Sequence, residues 1–166
     1  MKIHVILSCV TAVGLLAGCT PSPDSTLEAN KEVVRQFVAA YNSGDFDRLD
    51  ELMMIDLVRH SQAAGVEVNT LEEFKEHLRQ IAEAFPDARE EIRVIIAEAD
   101  KVVAYGTWTA TQEGPYGPFP ATGKKTNVQF FYLFRMEGGK IAEFWTEWDN
   151  LNMLSQLGHY PPSPGT

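Results

Sequence analysis

The residues of this chain that could do chemistry gather near its end. The stretch Gly138-Gly139-Lys140-Ile141-Ala142-Glu143-Phe144-Trp145-Thr146-Glu147-Trp148-Asp149-Asn150 reads as a hairpin turn feeding a last strand, which Asp149 closes. Asp149 is the first candidate for pocket chemistry. It also stands where an aspartate would N-cap the apolar tail Leu151 to Leu157, so a capping role is the competing reading. His60 is the second candidate. Its ordinary pKa lies near neutrality, so at a pocket rim it would orient a ligand or shuttle protons; elsewhere it is a structural or exposed histidine. No G-x-x-x-x-G-K-[ST], H-E-x-x-H or G-x-S-x-G pattern occurs. With a net charge of −9, the chain would repel nucleic-acid phosphates, and no nucleic-acid partner is expected.

The elements that must position these residues follow from periodicity. Val33, Val34, Phe37, Val38, Ala40 and Tyr41 recur at helical spacing, and Gly44 is placed as the C-cap. Phe46 to Met53 reads as a short second helix, and Ile55 to Ser61 as a short strand or extended arm with Val58 and His60 on one side. Asn69 or Thr70 caps a third helix. Its buried stripe is Leu71, Phe74, Leu78, Ile81, Ala82 and Phe85; His77 and Arg79 are expected off that stripe, in solvent. From Glu90 the period becomes two, with Ile92, Val94 and Ile96 on one face. Strands are expected over Val102 to Gln112, Asn127 to Met136 and Ile141 to Trp148. The Gly- and Pro-rich stretch Glu113 to Pro120 carries two exposed aromatics, Tyr116 and Phe119, and is either a pocket lid or an ordinary hairpin loop. Helices followed by hairpin-linked strands make an α+β fold, in which N-terminal helices cover one face of a curved, mainly antiparallel sheet. The result is a cone with an apolar interior, where small ligands bind.

The N-terminus reads as an address. Lys2 precedes the apolar run Ile3 to Leu15, too short for a transmembrane helix. Leu16-Ala17-Gly18-Cys19 resembles the lipobox of bacterial lipoproteins. That resemblance implies cleavage before Cys19 and lipidation of Cys19, leaving a membrane-anchored domain without cysteine. Thr20 after the cysteine, by the same resemblance, favours the outer membrane where the host has one. The expected organisation is a signal peptide over 1–18, a lipidated tether over 19–26, one domain over 27–160 and a tail over 161–166.

Several short motifs resemble one family. They are Asn42-x-Gly44-Asp45, Phe85-Pro86-Asp87, Ala97-Glu98-x-Asp100-Lys101-Val102-Val103, Pro120-x-Thr122-Gly123-Lys124, Gly139-Lys140-Ile141-x-Glu143-x-Trp145-x-x-x-Asp149 and Leu154-x-Gln156-Leu157-Gly158. In order and spacing they resemble the SnoaL-like polyketide cyclases, or ester cyclases, of the nuclear-transport-factor-2-like superfamily. The resemblance implies an intramolecular aldol ring closure without metal or cofactor, with Asp149 as general acid/base. A carboxylate in an apolar cone has the raised pKa such proton removal needs. The enolate also needs hydrogen-bond donors, and Tyr105, Gln112, Tyr132 and Trp145 can supply them. Many members carry Arg, His and His where this chain has Tyr105, Gln112 and Phe144. On an unbroken strand, moreover, Asp149 shares a face with Glu143, Trp145 and Glu147, while Phe144, Thr146 and Trp148 make the natural core face. Three readings therefore stay open. One is a metal-free enzyme of the cyclase, isomerase or hydrolase kind, using Asp149 with His60 assisting. Another is a tethered module that binds a small apolar ligand. The third is a structural homodimer paired through the outer sheet face.

Overall fold

The computed structural model describes residues 22–61 and 68–160. The signal segment, Cys19 and the tail 161–166 lie outside the described residues. The first helix, α1, runs Pro23–Ser43, so it claims residues expected to belong to the tether. Ser22 accepts a hydrogen bond from the Ser25 amide at 3.2 Å, and Pro23 stands in the first turn, where its missing N–H costs nothing and its fixed φ suits a helix. Gly44, at φ 70°, ends α1 and donates back to its last carbonyls, as expected of the C-cap. A 3-10 turn (Phe46–Arg48) and a one-turn helix, α2 (Leu49–Leu52), lead into β1 (Met53–His60). Thr70 caps α3 (Leu71–Ala84), and the Glu73 carboxylate returns to the Asn69 amide. Then follow β2 (Arg89–Glu98), β3 (Lys101–Thr111), β4 (Lys125–Glu137), β5 (Lys140–Trp148) and α4 (Asn150–Leu157).

The five strands form one sheet in the order β1-β5-β4-β3-β2. All neighbours are antiparallel except β1, which runs parallel to β5 and pairs His60 with Trp145. The extended arm is thus an edge strand.

The sheet has three register shifts among the described residues; one lies in β1 between Met53 and Val58, and the other two decide which residues of β2 and β5 face inward. The first of these two lies in β2 between Ile92 and Val94. It breaks the expected Ile92-Val94-Ile96 face: Ile92, Ile95 and Ala97 pack on the core, while Val94 and Ile96 are 46% and 60% exposed. Gly106 sits opposite this bulge, and a Cβ there would fall 2.3 Å from the Glu91 carbonyl oxygen and 2.7 Å from Phe130. Gly106→Ala should therefore cost about 3 kcal/mol or more, because the clash is with backbone. Urea melting checks this, and an unchanged midpoint would contradict it. The second bulge lies at Ala142, before Phe144. From Phe144 onward β5 alternates without interruption, and Phe144, Thr146 and Trp148 face the helices.

The core has two parts. At one end Phe37, Phe74, Phe134 and Phe144 pack ring on ring, with centroids 5.2 to 6.2 Å apart. At the other, Phe85, Ala110, Val128, Met153 and Leu157 join α3, the sheet and α4.

Candidate functional site

Between the two parts of the core lies a cavity of about 90 Å³, room for a small organic molecule rather than one water. Its walls are mostly aromatic, with Phe37, Phe74, Phe85, Trp108, Phe130 and Phe144 among them. Against this apolar surface stand a few polar groups that no solvent-facing role explains.

Glu90 is the first of these. It is the second residue of β2 and only 7% exposed. Asn42, at the end of α1, clamps its backbone. The Glu90 amide donates to Asn42 Oδ1 at 2.7 Å, and Asn42 Nδ2 donates to the Glu90 carbonyl at 2.8 Å. The asparagine of the Asn42-x-Gly44-Asp45 motif thus fixes the backbone that carries the acid. The Tyr132 hydroxyl donates to Glu90 Oε1, and Oε2 is buried without a partner among the described residues. Burial pushes the Glu90 carboxyl up to about 7, against a smaller lowering by the Tyr132 bond. Burial and the nearby Glu90 likewise hold the Tyr132 phenol well above its ordinary range, so it stays a donor. Beside them Trp108 Nε1 donates to the Tyr41 hydroxyl at 2.8 Å.

Arg59 and His77 are the other ionisable groups of opposite type. Arg59 enters from β1 and is buried, with Nη1 unpartnered among the described residues. Burial lowers its pKa, opposed by its electrostatic interactions with Tyr132, Tyr116 and Glu147. His77 enters from α3; burial first, then the Arg59 charge, lower it to about 4, so its imidazole is neutral at neutral pH. Tyr116 closes one wall, its ring edge-on to Phe85 at 5.4 Å. Neither it nor Phe119 is fully exposed as the sequence implied, because the two residues pair and pack on the second core.

Of the residues singled out in the sequence, Tyr132 lines the cavity. Asp149 does not: it is exposed and accepts from the Asn152 amide at 2.9 Å, as the N-cap of α4. No bulge follows Phe144, so the strand never turns Asp149 inward. His60 and Trp145 also point away from the cavity. Their rings stack with centroids 4.7 Å apart, and His60 Nε2 lies 2.6 Å from Glu143 Oε1. Tyr105 lies across β3 and β4 from exposed Phe131, ring to ring at 4.7 Å. Gln112 is fully buried yet structural: it meets His159 Nε2 at 2.7 Å, accepts from the Thr122 hydroxyl and donates to the Phe119 carbonyl, pinning the β3–β4 loop. Asp149→Ala should accordingly cost about 1 kcal/mol as a lost cap, readable by urea melting, and leave cavity binding unchanged. Loss of binding in a folded Asp149→Ala protein would contradict the capping assignment.

Glu90, Arg59 and His77 were missed, and each had a signal. His77 is three residues after Phe74 and four before Ile81, hence on their face rather than in solvent. Arg59 lies between Val58 and His60, so an outward His60 implies an inward Arg59. Glu90 is two residues before inward Ile92.

Comparison with known proteins agrees with this architecture. A family profile described as SnoaL-like polyketide cyclase matches residues 31–157. AclR, a candidate hydroxylase from Streptomyces galilaeus, is 28% identical, with a TM-score of 0.73 over 83% of this chain and 86% of that one. IdmH, a candidate polyketide cyclase from Streptomyces antibioticus, is 26% identical, with a TM-score of 0.70 over 78% of this chain and 98% of that one. TsrD from Streptomyces laurentii is 29% identical, with a TM-score of 0.71 over 80% and 97%. No curated protein sequence matches this chain.

Proposed function

The chain belongs to the SnoaL-like polyketide cyclase family, and from that premise we propose a proton-transfer enzyme of the cyclase or isomerase kind, using Glu90 on a small carbonyl compound with an apolar body. One observation carries the proposal. Glu90 is a carboxyl buried in the cavity wall, held by Asn42 and Tyr132, with one oxygen left unpartnered among the described residues. A carboxyl whose pKa is about 7 divides its population between acid and base near neutral pH. In this scheme Glu90 Oε2 takes the proton from the carbon beside a carbonyl. The C–H electron pair moves into the new C=C bond, and the carbonyl π pair moves onto oxygen. Trp148 Nε1, buried and likewise unpartnered among the described residues, is a donor available to that oxygen. The enolate carbon then attacks a second carbonyl of the same molecule, and Glu90 returns its proton to the resulting alkoxide.

The test is hydrogen–deuterium exchange into a panel of small enolisable carbonyl compounds, followed by NMR. Wild type should exchange at least 100-fold faster than Glu90→Gln, the usual scale of general acid–base catalysis. Equal rates in the two proteins would end this reading. A second reading, a non-catalytic binding module, draws on the exposed, capping position of Asp149. It predicts saturable binding of the same compounds with no exchange above background.

Two further proposals concern the setting. Cys19 anchors the domain to the envelope through lipid; Cys19→Ala should move the protein from the membrane to the soluble fraction. The outer sheet face, where Val94, Tyr105 and exposed Phe131 line up across three strands, pairs two copies. A monomer mass in sedimentation at high concentration would exclude that dimer.

A further inference from the structure

Arg59 has no part in the proton transfer just described, yet it is a cation buried in the cavity wall. It is 8% exposed, and Nη1 is buried with no acceptor among the described residues. Taking a guanidinium out of water without a paired anion is heavily unfavourable. Among the described residues the cavity wall supplies no free anion. Glu90 is the one carboxyl among the described wall residues; one of its oxygens is taken by Tyr132, and it makes no ion pair with Arg59 among the described contacts. The carboxylate that does act on Arg59, Glu147, is exposed on the opposite face of β5. His77, Tyr116 and Tyr132 within the Arg59 field are neutral at neutral pH. Among the described residues, then, the buried cation has no counter-charge inside the chamber, which is large enough for a small organic molecule.

We infer that Arg59 is a substrate-anchoring residue and that the natural ligand is a keto acid, its carboxylate taken by the guanidinium and its carbonyl end directed among the aromatic rings. The planar, forked guanidinium suits a carboxylate better than a point charge would. The mainly aromatic walls suit a short hydrocarbon body. This inference rests on the proposed function only for which end reacts; the carboxylate site stands without it. The anchor would also fix the register of the carbon that meets Glu90, so Arg59 selects among carbonyl compounds without touching the transferred proton.

The probe is levulinate, a small keto acid, set against its uncharged methyl ester. Binding is followed by the three indole N–H signals. Levulinate should shift Trp108 and Trp148, which line the cavity, and leave Trp145 on the outer face unmoved. Arg59→Met should weaken levulinate at least 100-fold while leaving the ester within about threefold, and Arg59→Lys should fall between. If Arg59→Met does not fold, the Arg59→Lys result and the wild-type preference for acid over ester still decide. Ester bound as tightly as acid by wild type, or levulinate binding indifferent to Arg59, overturns the inference. Glu90→Gln separates it from the catalytic reading. That variant should still bind levulinate with the Arg59-dependent preference, whether or not wild type exchanges its protons.

Discussion

At pH 8, Glu90→Gln is expected to melt roughly 10 °C above the wild type while losing its proton-transfer activity. The sign follows from the titration. Burial raises Glu90 from an ordinary 4.5 to about 7. Between those values the folded protein holds a proton that the unfolded chain has released, so folding loses stability as pH rises through that window, and the loss persists above it. A shift of that size is worth about 3 kcal/mol, since each unit is about 1.36 kcal/mol. For a domain of this size that corresponds to roughly 10 °C. Glutamine keeps an acceptor for the Tyr132 hydroxyl and removes the charge. Below about pH 4 the carboxyl is protonated in both states and the advantage should vanish. Thermal melts at pH 4 and pH 8 check both halves; equal melting temperatures at pH 8 would contradict the buried-acid assignment. A stability gain coupled to a loss of chemistry is the pattern expected where a fold keeps a destabilising group for its reactivity.

The second large effect concerns the slope of stability with pH. His77 is lowered from 6.5 to about 4, the opposite kind of shift. Between those values the unfolded chain takes up a proton that folded His77 refuses, so stability falls as pH drops through that window. Over about pH 4.5 to 6.5 the Glu90 and His77 slopes have opposite sign and cancel in the wild type. Glu90→Gln unmasks the histidine, and the variant should lose about 1.4 kcal/mol per pH unit relative to the wild type as pH falls. His77→Gln unmasks the acid and should gain by a similar amount over the same range. Asp87, held low by the Thr111 hydroxyl, and Glu143, held low by His60 and then Arg135, add an acid loss common to all variants, so differences from wild type are the quantity to read. Urea midpoints at half-unit pH steps measure it. Parallel curves for the three proteins would show that the two side chains do not titrate as their burial requires.

How much of this was legible beforehand depended on the kind of signal. The helices and strands were, because Phe37, Phe74 and Phe134 recur at the periods their elements demand. The inward set of β5 was legible for the same reason, and the alternation had already set Asp149 against Phe144, Thr146 and Trp148. The β2 face was not, because one extra residue at a bulge reverses inside and outside beyond it, and no local pattern in Ile92 to Ala97 announces that. The site was harder still. The candidate donor Gln112 and the motif residue Asp149 proved to hold the loop and the last helix. The cavity groups Arg59, His77 and Glu90 are ionisable residues at apolar positions of the pattern. Polar residues there are ordinarily assigned to solvent even where, as here, their spacing puts them on the inward face, and the packed structure encloses them.

The most direct test of the central claim, that the cone holds an acid–base group working near neutral pH, is a carbon-13 titration of the glutamate side-chain carboxyls, with Glu90 assigned by its absence in Glu90→Gln. One carboxyl, Glu90, should titrate near pH 7. A Glu90 resonance titrating in the ordinary range near 4.5 would show the group open to water and remove it from the chemistry.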